Sequence, residues 1–186
     1  MYKYLEYEDK IREKIGEKRY KHSIRVYQTA LDINDGIDPQ KIKEASLLHD
    51  CAKYNEDYYL EKYRNLIDFS DDIIDNKFVL HAFLGSIVAK EEYNIEDREV
   101  LDAIRYHTTG RVNMTKLDKI IFLADAMEPK RSYPGVDKLR ELAHKDLDQA
   151  VLFSLNGNIK SLIDRDIEIF RLTIDARNYL IKEKNE

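Results

Sequence analysis

Helix breakers are scarce in this chain. Six glycines and three prolines are spread over 186 residues. Long stretches therefore run without the turn residues that a many-stranded β-fold needs at short intervals. Glu, Lys, Leu, Ile and Ala fill those stretches, and most of them favour helices. The expected fold class is all-α, and no segment reads as a strand.

Periodicity places the helices. From Lys18 to Asn34, His22, Val26 and Ala30 recur every four residues and share a face. Gly36 ends that run. Asp38-Pro39 then reads as an N-cap followed by proline at the first helical position. The next helix turns Ile42, Ala45 and Leu48 inward and reaches His49-Asp50 near its end. Asn55–Asn76, rich in Tyr, Asp and Asn, reads as short helices or loops, and its Tyr58, Tyr59 and Tyr63 as core-covering aromatics. Phe78–Tyr93 resumes an apolar pattern through His81, Leu84 and Val88. Glu96-Asp97 opens a helix that runs to His107. Thr115–Asp118 resembles a capping box ahead of a helix ending near Asp125. Pro129–Gly135 is the strongest loop signal, and helical stretches near Leu147–Ile163 and Ile167–Ile181 complete what reads as one domain, 1–186.

Charge and cysteine usage narrow the function. A net charge of −5 gives no general reason to bind nucleic acid. A phosphorylated substrate would need a local positive site, which bound metal ions can supply. Cys51 is the only cysteine, so no internal disulfide can form and no cysteine-based zinc site is expected. No apolar run is long enough to span a membrane, and the first residues carry charges where a signal peptide needs its apolar region. A cytoplasmic address without a membrane partner is expected.

Five histidines remain to be placed. His22 lies on an otherwise apolar face, His49-Asp50 at a helix end, His81 at a helix start and His107 at another helix end. His144, between Ala143 and Lys145, reads as a surface residue. Asp125 sits in the apolar setting Ile121-Phe122-Leu123-Ala124-Asp125-Ala126. A buried carboxylate is costly unless paired, hydrogen-bonded or metal-bound, so Asp125 needs a partner. Taken singly, His22 reads equally as a core histidine and Asp125 as a helix-end cap. Together, imidazole and carboxylate donors suit first-row divalent metals. Asp50, with two oxygens beside His49, is the natural bridge of a dinuclear site.

The order His22, His49-Asp50, His81, His107, Asp125 resembles that of the HD-domain superfamily, and the two middle histidines resemble its dinuclear branch. The likeness extends through Tyr20–Val26, His49-Asp50-Cys51-Ala52-Lys53, Tyr106-His107-Thr108-Thr109-Gly110 and Ala124–Arg131 to the YqeK family, bacterial symmetrical diadenosine tetraphosphate hydrolases. The resemblance implies an all-α HD fold around a dinuclear metal centre. His22, His49, Asp50 and Asp125 would hold one metal; Asp50, His81 and His107 the second. Iron is the expected metal, with manganese or cobalt as alternatives. A homodimer is also implied.

The implied reaction is hydrolysis of the middle phosphoanhydride to two ADP by a metal-activated hydroxide, so the expected ligands are a dinucleoside polyphosphate and nucleoside diphosphate. Asp50 and Asp125 would be catalytic through the metals, and Lys53 through charge on the leaving phosphate. Arg19, His81, Thr108, Thr109 and Arg131 would line the substrate, with Arg131 suited to clamp phosphate. Thr173 and Arg177, four apart on one helix face, would close the nucleotide site. The arginines and Lys53 read alone as surface charges, and the threonines as a helix end and turn. The alternatives are another HD-type nucleotidase or phosphodiesterase, a dinuclear-iron oxygenase, or a non-catalytic nucleotide sensor.

Overall fold

The structure, a computed structural model, describes residues 2–185, with side chains described from Glu8 to Lys184. Among the described residues there is no strand. The helices are α1 (Tyr2–Asp32), α2 (Pro39–Leu48), α3 (Glu56–Lys62), α4 (Asp71–Ile74), α5 (Leu80–Tyr93), α6 (Arg98–Tyr106), α7 (Lys116–Met127), α8 (Val136–Ala143), α9 (Leu147–Asp164) and α10 (Arg171–Asn185), with a 3-10 turn at Arg64–Leu66.

Local chemistry explains most boundaries. α1 is two helical pieces meeting at Gly16, whose φ of 77° is open to glycine at little cost. Asp38 caps α2 through the N–H of Gln40, with Pro39 at the first turn. Asp97 caps α6 in the same way. At α7, Thr115 and Asp118 each accept the other's backbone N–H, a complete capping box built with Asp instead of Glu.

One buried apolar cluster draws on residues from Ile11 to Leu180. α1 packs on α2 and α7, α6 lies against α2, α5 and α7, and α9 joins α7 to α8 and α10. Ile42, Ala45 and Leu48 are fully buried on α2. Burying each large apolar side chain is worth about 1.5–3 kcal/mol. α5 is buried on nearly every face. It passes close to the end of α2 because Gly85 has no side chain: a Cβ there would meet Ile104 Cγ2 at 3.3 Å and the His49 carbonyl at 3.5 Å. Cys51 is buried and bonds the Gly85 carbonyl.

Three sequence expectations change. α8 lies where no helix was expected, and its Val136, Leu139 and Ala143 are buried. The last helix begins at Arg171 rather than near Ile167, because residues 165–170 form a connection with Asp166 at φ 52°. Tyr59 and Tyr63 are buried, whereas Tyr58 is exposed.

Candidate metal centre

Helix ends aim two of the histidines. His49 and His107 stand at the C-caps of α2 and α6. The Nδ1 of each lies 2.7 Å from a carbonyl three residues back, Ser46 and Ile104 respectively. A carbonyl only accepts, so each Nδ1 carries the proton and satisfies an orphan helix-end group. In the neutral ring the Nε2 lone pair is then free for a cation. His107 is held neutral, its pKa pushed down to about 3 by burial and by the nearby His49 and His81 rings. Burial also pushes His49 downward, but Asp50 and Asp125 reverse the direction and raise it.

His22 is aimed across the fold. Its Nδ1 lies 3.2 Å from Glu128 Oε1, 106 residues along the chain. Its Nε2 lies 2.9 Å from Asp125 Oδ1 yet makes no hydrogen bond there. The Nε2 of His49 is likewise buried without a hydrogen-bond partner. With Nδ1 protonated in each ring, both Nε2 lone pairs face carboxylate oxygens, at 2.9 Å for His22 and Asp125 and 3.3 Å for His49 and Asp50, an opposition that a shared cation would relieve.

Asp50, 3% exposed, is central to this group. Its Oδ1 faces His81 Nε2 at 3.2 Å and His107 Nε2 at 3.9 Å. Its Oδ2 faces His49 Nε2 at 3.3 Å, His22 Nε2 at 3.9 Å and Arg19 Nη1 at 2.8 Å. The two oxygens thus address different histidine pairs. The ligand atoms of His22, His49 and Asp125 lie within 4.8 Å of one another, as do those of His49, Asp50 and His107. His49 belongs to both triads; His81 approaches through Asp50. Burial opposes charge on both carboxylates, but the surrounding imidazoles, together with Arg131 at Asp125, hold their pKa values well below the usual range. Imidazoles around ionised carboxylates form a donor set that fits divalent metal binding.

The other expected site residues divide. Arg131 grips Asp125 through its carbonyl at 2.8 Å and its Oδ1 at 2.6 Å. The Lys53 ammonium lies 3.1 Å from both ring nitrogens of His81. It does so from a turn, since α2 stops at Leu48. The Thr108 hydroxyl is buried without a partner, whereas Thr109 donates to the Gly110 carbonyl. Gly110, at φ 66°, packs closely on Ala176 of α10. Thr173 is buried on the same helix. Arg177 bonds Asn156 on α9 and its neighbour Asn178, and neither is a cluster residue. His144 is a half-exposed residue paired with Asp32.

Three residues without an assigned role support the centre. Glu128 accepts from Arg25 Nε at 2.5 Å, Arg25 Nη2 at 3.2 Å and the Lys130 N–H at 2.8 Å, besides His22. Burial opposes its charge, but those bonds lower its pKa to about 2. Arg140 of α8 binds the carbonyls of Met127, Glu128 and Arg131 and so fixes the loop that carries Arg131. Glu128 follows Asp125 by three residues, a signal available in sequence; its bond to His22 had none.

The helical scaffold and buried His/Asp cluster define a class, and comparison agrees: the HD domain model matches residues 19–130, and the chain belongs to that family. A Staphylococcus aureus protein named bis(5'-nucleosyl)-tetraphosphatase, symmetrical, is 40% identical over 90% of this chain and 89% of its own. A Bacillus subtilis protein of the same name is 34% identical, covering 92% and 94%. Within the HD proteins, the chain belongs to this YqeK-type family of symmetrical tetraphosphatases. A solved structure from Clostridium acetobutylicum, described as a predicted HD superfamily hydrolase involved in NAD metabolism, is 42% identical and covers 97% of both chains with a TM-score of 0.91.

Proposed function

We propose that this chain hydrolyses diadenosine tetraphosphate at its middle anhydride, using two divalent metal ions, and releases two ADP. The observation that carries the reading is Asp50, whose two oxygens face different histidine pairs inside a buried cluster. The names of its relatives supply the substrate class. His22, His49, Asp50 and Asp125 would hold one metal, and Asp50, His81 and His107 the other. Iron is the proposed identity, with manganese and cobalt accepted by the same donor types. When bound, such ions supply a water of lowered pKa and positive charge for phosphoryl oxygens.

The chain's own residues then bind and orient. Arg19 and Arg131 are partly exposed while bonded to cluster carboxylates, so they bring positive charge to the edge of the site. They take the polyphosphate oxygens. Lys53, held against His81, offsets charge on the departing phosphate. The unpartnered Thr108 hydroxyl can donate to a phosphate oxygen, and Thr109, committed to Gly110, shapes the turn. Thr173 and Arg177 belong to the nucleotide end by family resemblance. Water adds across the anhydride: its oxygen bonds one inner phosphorus, the bridging P–O bond breaks, and ADP departs. No observation favours the oxygenase or sensor readings. Residues 1–186 act as one hydrolase unit in this proposal, supported by the shared core; the homodimer stays an expectation from resemblance and the cytoplasmic address an expectation from the sequence.

The test is an anaerobic assay of protein loaded with ferrous iron, with products separated by chromatography. ADP is expected as the sole initial product, absent with Asp50→Ala. AMP plus ATP would overturn symmetrical cleavage.

A further inference from the structure

Among the described residues, Tyr54 is the most exposed of the large apolar side chains, at 69%. It closes the turn after His49-Asp50 with φ at 70°. That left-handed conformation suits glycine or asparagine and is costly for an aromatic residue. Strain of this kind collects at functional sites. Nothing in the core compensates for it, because the ring lies largely in solvent, unlike the buried Tyr59 and Tyr63 that follow.

The ring is nonetheless held in place. Arg19 donates from Nη2 to the Tyr54 hydroxyl at 2.8 Å and from Nη1 to Asp50 Oδ2 at 2.8 Å. Its guanidinium carbon lies 5.4 Å from the ring centroid. One arginine therefore ties an open aromatic face to the carboxylate at the heart of the cluster. An exposed, fixed ring one guanidinium away from a phosphate-handling centre has the properties of a stacking platform, since every nucleobase offers a π-face and stacking needs no edge recognition.

We propose that Tyr54 is a substrate-positioning residue: its ring stacks a nucleobase of the nucleotide while Arg19 takes the adjoining phosphate. This rests on the reading of the site as a nucleotide hydrolase. It predicts a substrate preference for nucleosides with planar bases, and tolerance of which base is present.

The experiment uses metal-loaded protein and two probes, ADP and inorganic tripolyphosphate, which lacks a base. Tyr54→Gly should weaken ADP binding about tenfold, leave tripolyphosphate binding in place, and raise KM for the dinucleotide more than it lowers kcat. Its melting temperature should hold or rise, because glycine relieves the positive φ. Tyr54→Phe, which keeps the ring and loses the hydroxyl, should restore ADP binding. Equal ADP binding by Tyr54→Gly and the parent would overturn the platform. So would Tyr54→Phe failing as badly as Tyr54→Gly, which would mean that the hydroxyl matters only for holding Arg19. Dinucleotide turnover with ADP binding unmoved in Tyr54→Gly sinks the platform and spares the hydrolase. A Tyr54-dependent ADP site without turnover sinks the hydrolase and supports the platform.

Discussion

At Glu128 one buried carboxylate gathers two Arg25 contacts, a backbone N–H and the His22 ring. The carboxylate cannot donate, so it fixes the proton on His22 Nδ1 and turns Nε2 toward Asp125. Partners of this kind tune metal affinity by about 10–100-fold. Glu128→Ala should therefore weaken divalent metal binding by about that factor and lower occupancy after dialysis, while Glu128→Gln, which retains an acceptor oxygen, recovers part of it. Metal content of the dialysed protein, measured by elemental analysis, checks this; equal occupancy in all forms would reduce Glu128 to a loop anchor. The same scale marks what sequence could reveal. His22, His49-Asp50, His81, His107 and Asp125 were legible because their residue types and order carry a resemblance. Arg131 is legible only as a charge within a motif, and Arg19 only as a charge three residues before His22. That they bond Asp50 and Asp125 depends on contacts between chain-distant elements or on the path of a loop, which periodicity does not encode.

At the scale of elements, sequence worked best where the chemistry is local. Asp38-Pro39 and the Thr115–Asp118 box act within one turn, and both appear at the helix starts that they predict. α8 gives little sequence signal because it is eight residues long and follows directly on the Pro129–Gly135 loop, although its buried positions keep helical spacing. α2 stops at Leu48, near the end that its pattern marks, and a turn delivers the Lys53 side chain. A second set of contacts joins elements away from the His/Asp cluster. Glu92 on α5 accepts from Lys62 at 2.6 Å and Tyr63 at 3.1 Å, pinning the α3 region to α5. Burial works against the Glu92 charge, but those bonds win and lower its pKa below 4.5. A carboxyl lowered in the folded state contributes stability above its unfolded pKa and loses it as pH falls through the folded value. Glu92→Gln should thus cost about 1 kcal/mol near pH 7, or about 2–4 °C in Tm, since the pair is partly screened. The deficit should shrink toward zero as pH drops below 4.5. Thermal melts at pH 7 and pH 3 decide it, and a deficit unchanged at pH 3 would assign the cost to packing instead.

Over the whole molecule, the donor atoms come from distant stretches of chain: His22 from α1, His49 and Asp50 from the end of α2, His81 from α5, His107 from the end of α6 and Asp125 from α7. A cation held by them is a cross-brace between helices that the unfolded chain cannot assemble. Ligand that binds only the folded state stabilises it by mass action, about 2.7 kcal/mol at a hundredfold excess over Kd. For a chain of this length that corresponds to a rise in Tm of about 5–10 °C. Melting of chelator-treated protein with and without ferrous or manganous ion should show that rise, and excess chelator should reverse it. Asp50→Ala, which removes the carboxylate shared between the histidine pairs, should lose most of the metal-dependent rise. The rise is read against the variant's own chelator-treated Tm, because the substitution also takes the ion-pair partner from Arg19. A metal-dependent rise of the same size in Asp50→Ala would mean that cations stabilise the acidic chain elsewhere, and the cluster would lose its claim to be the metal centre.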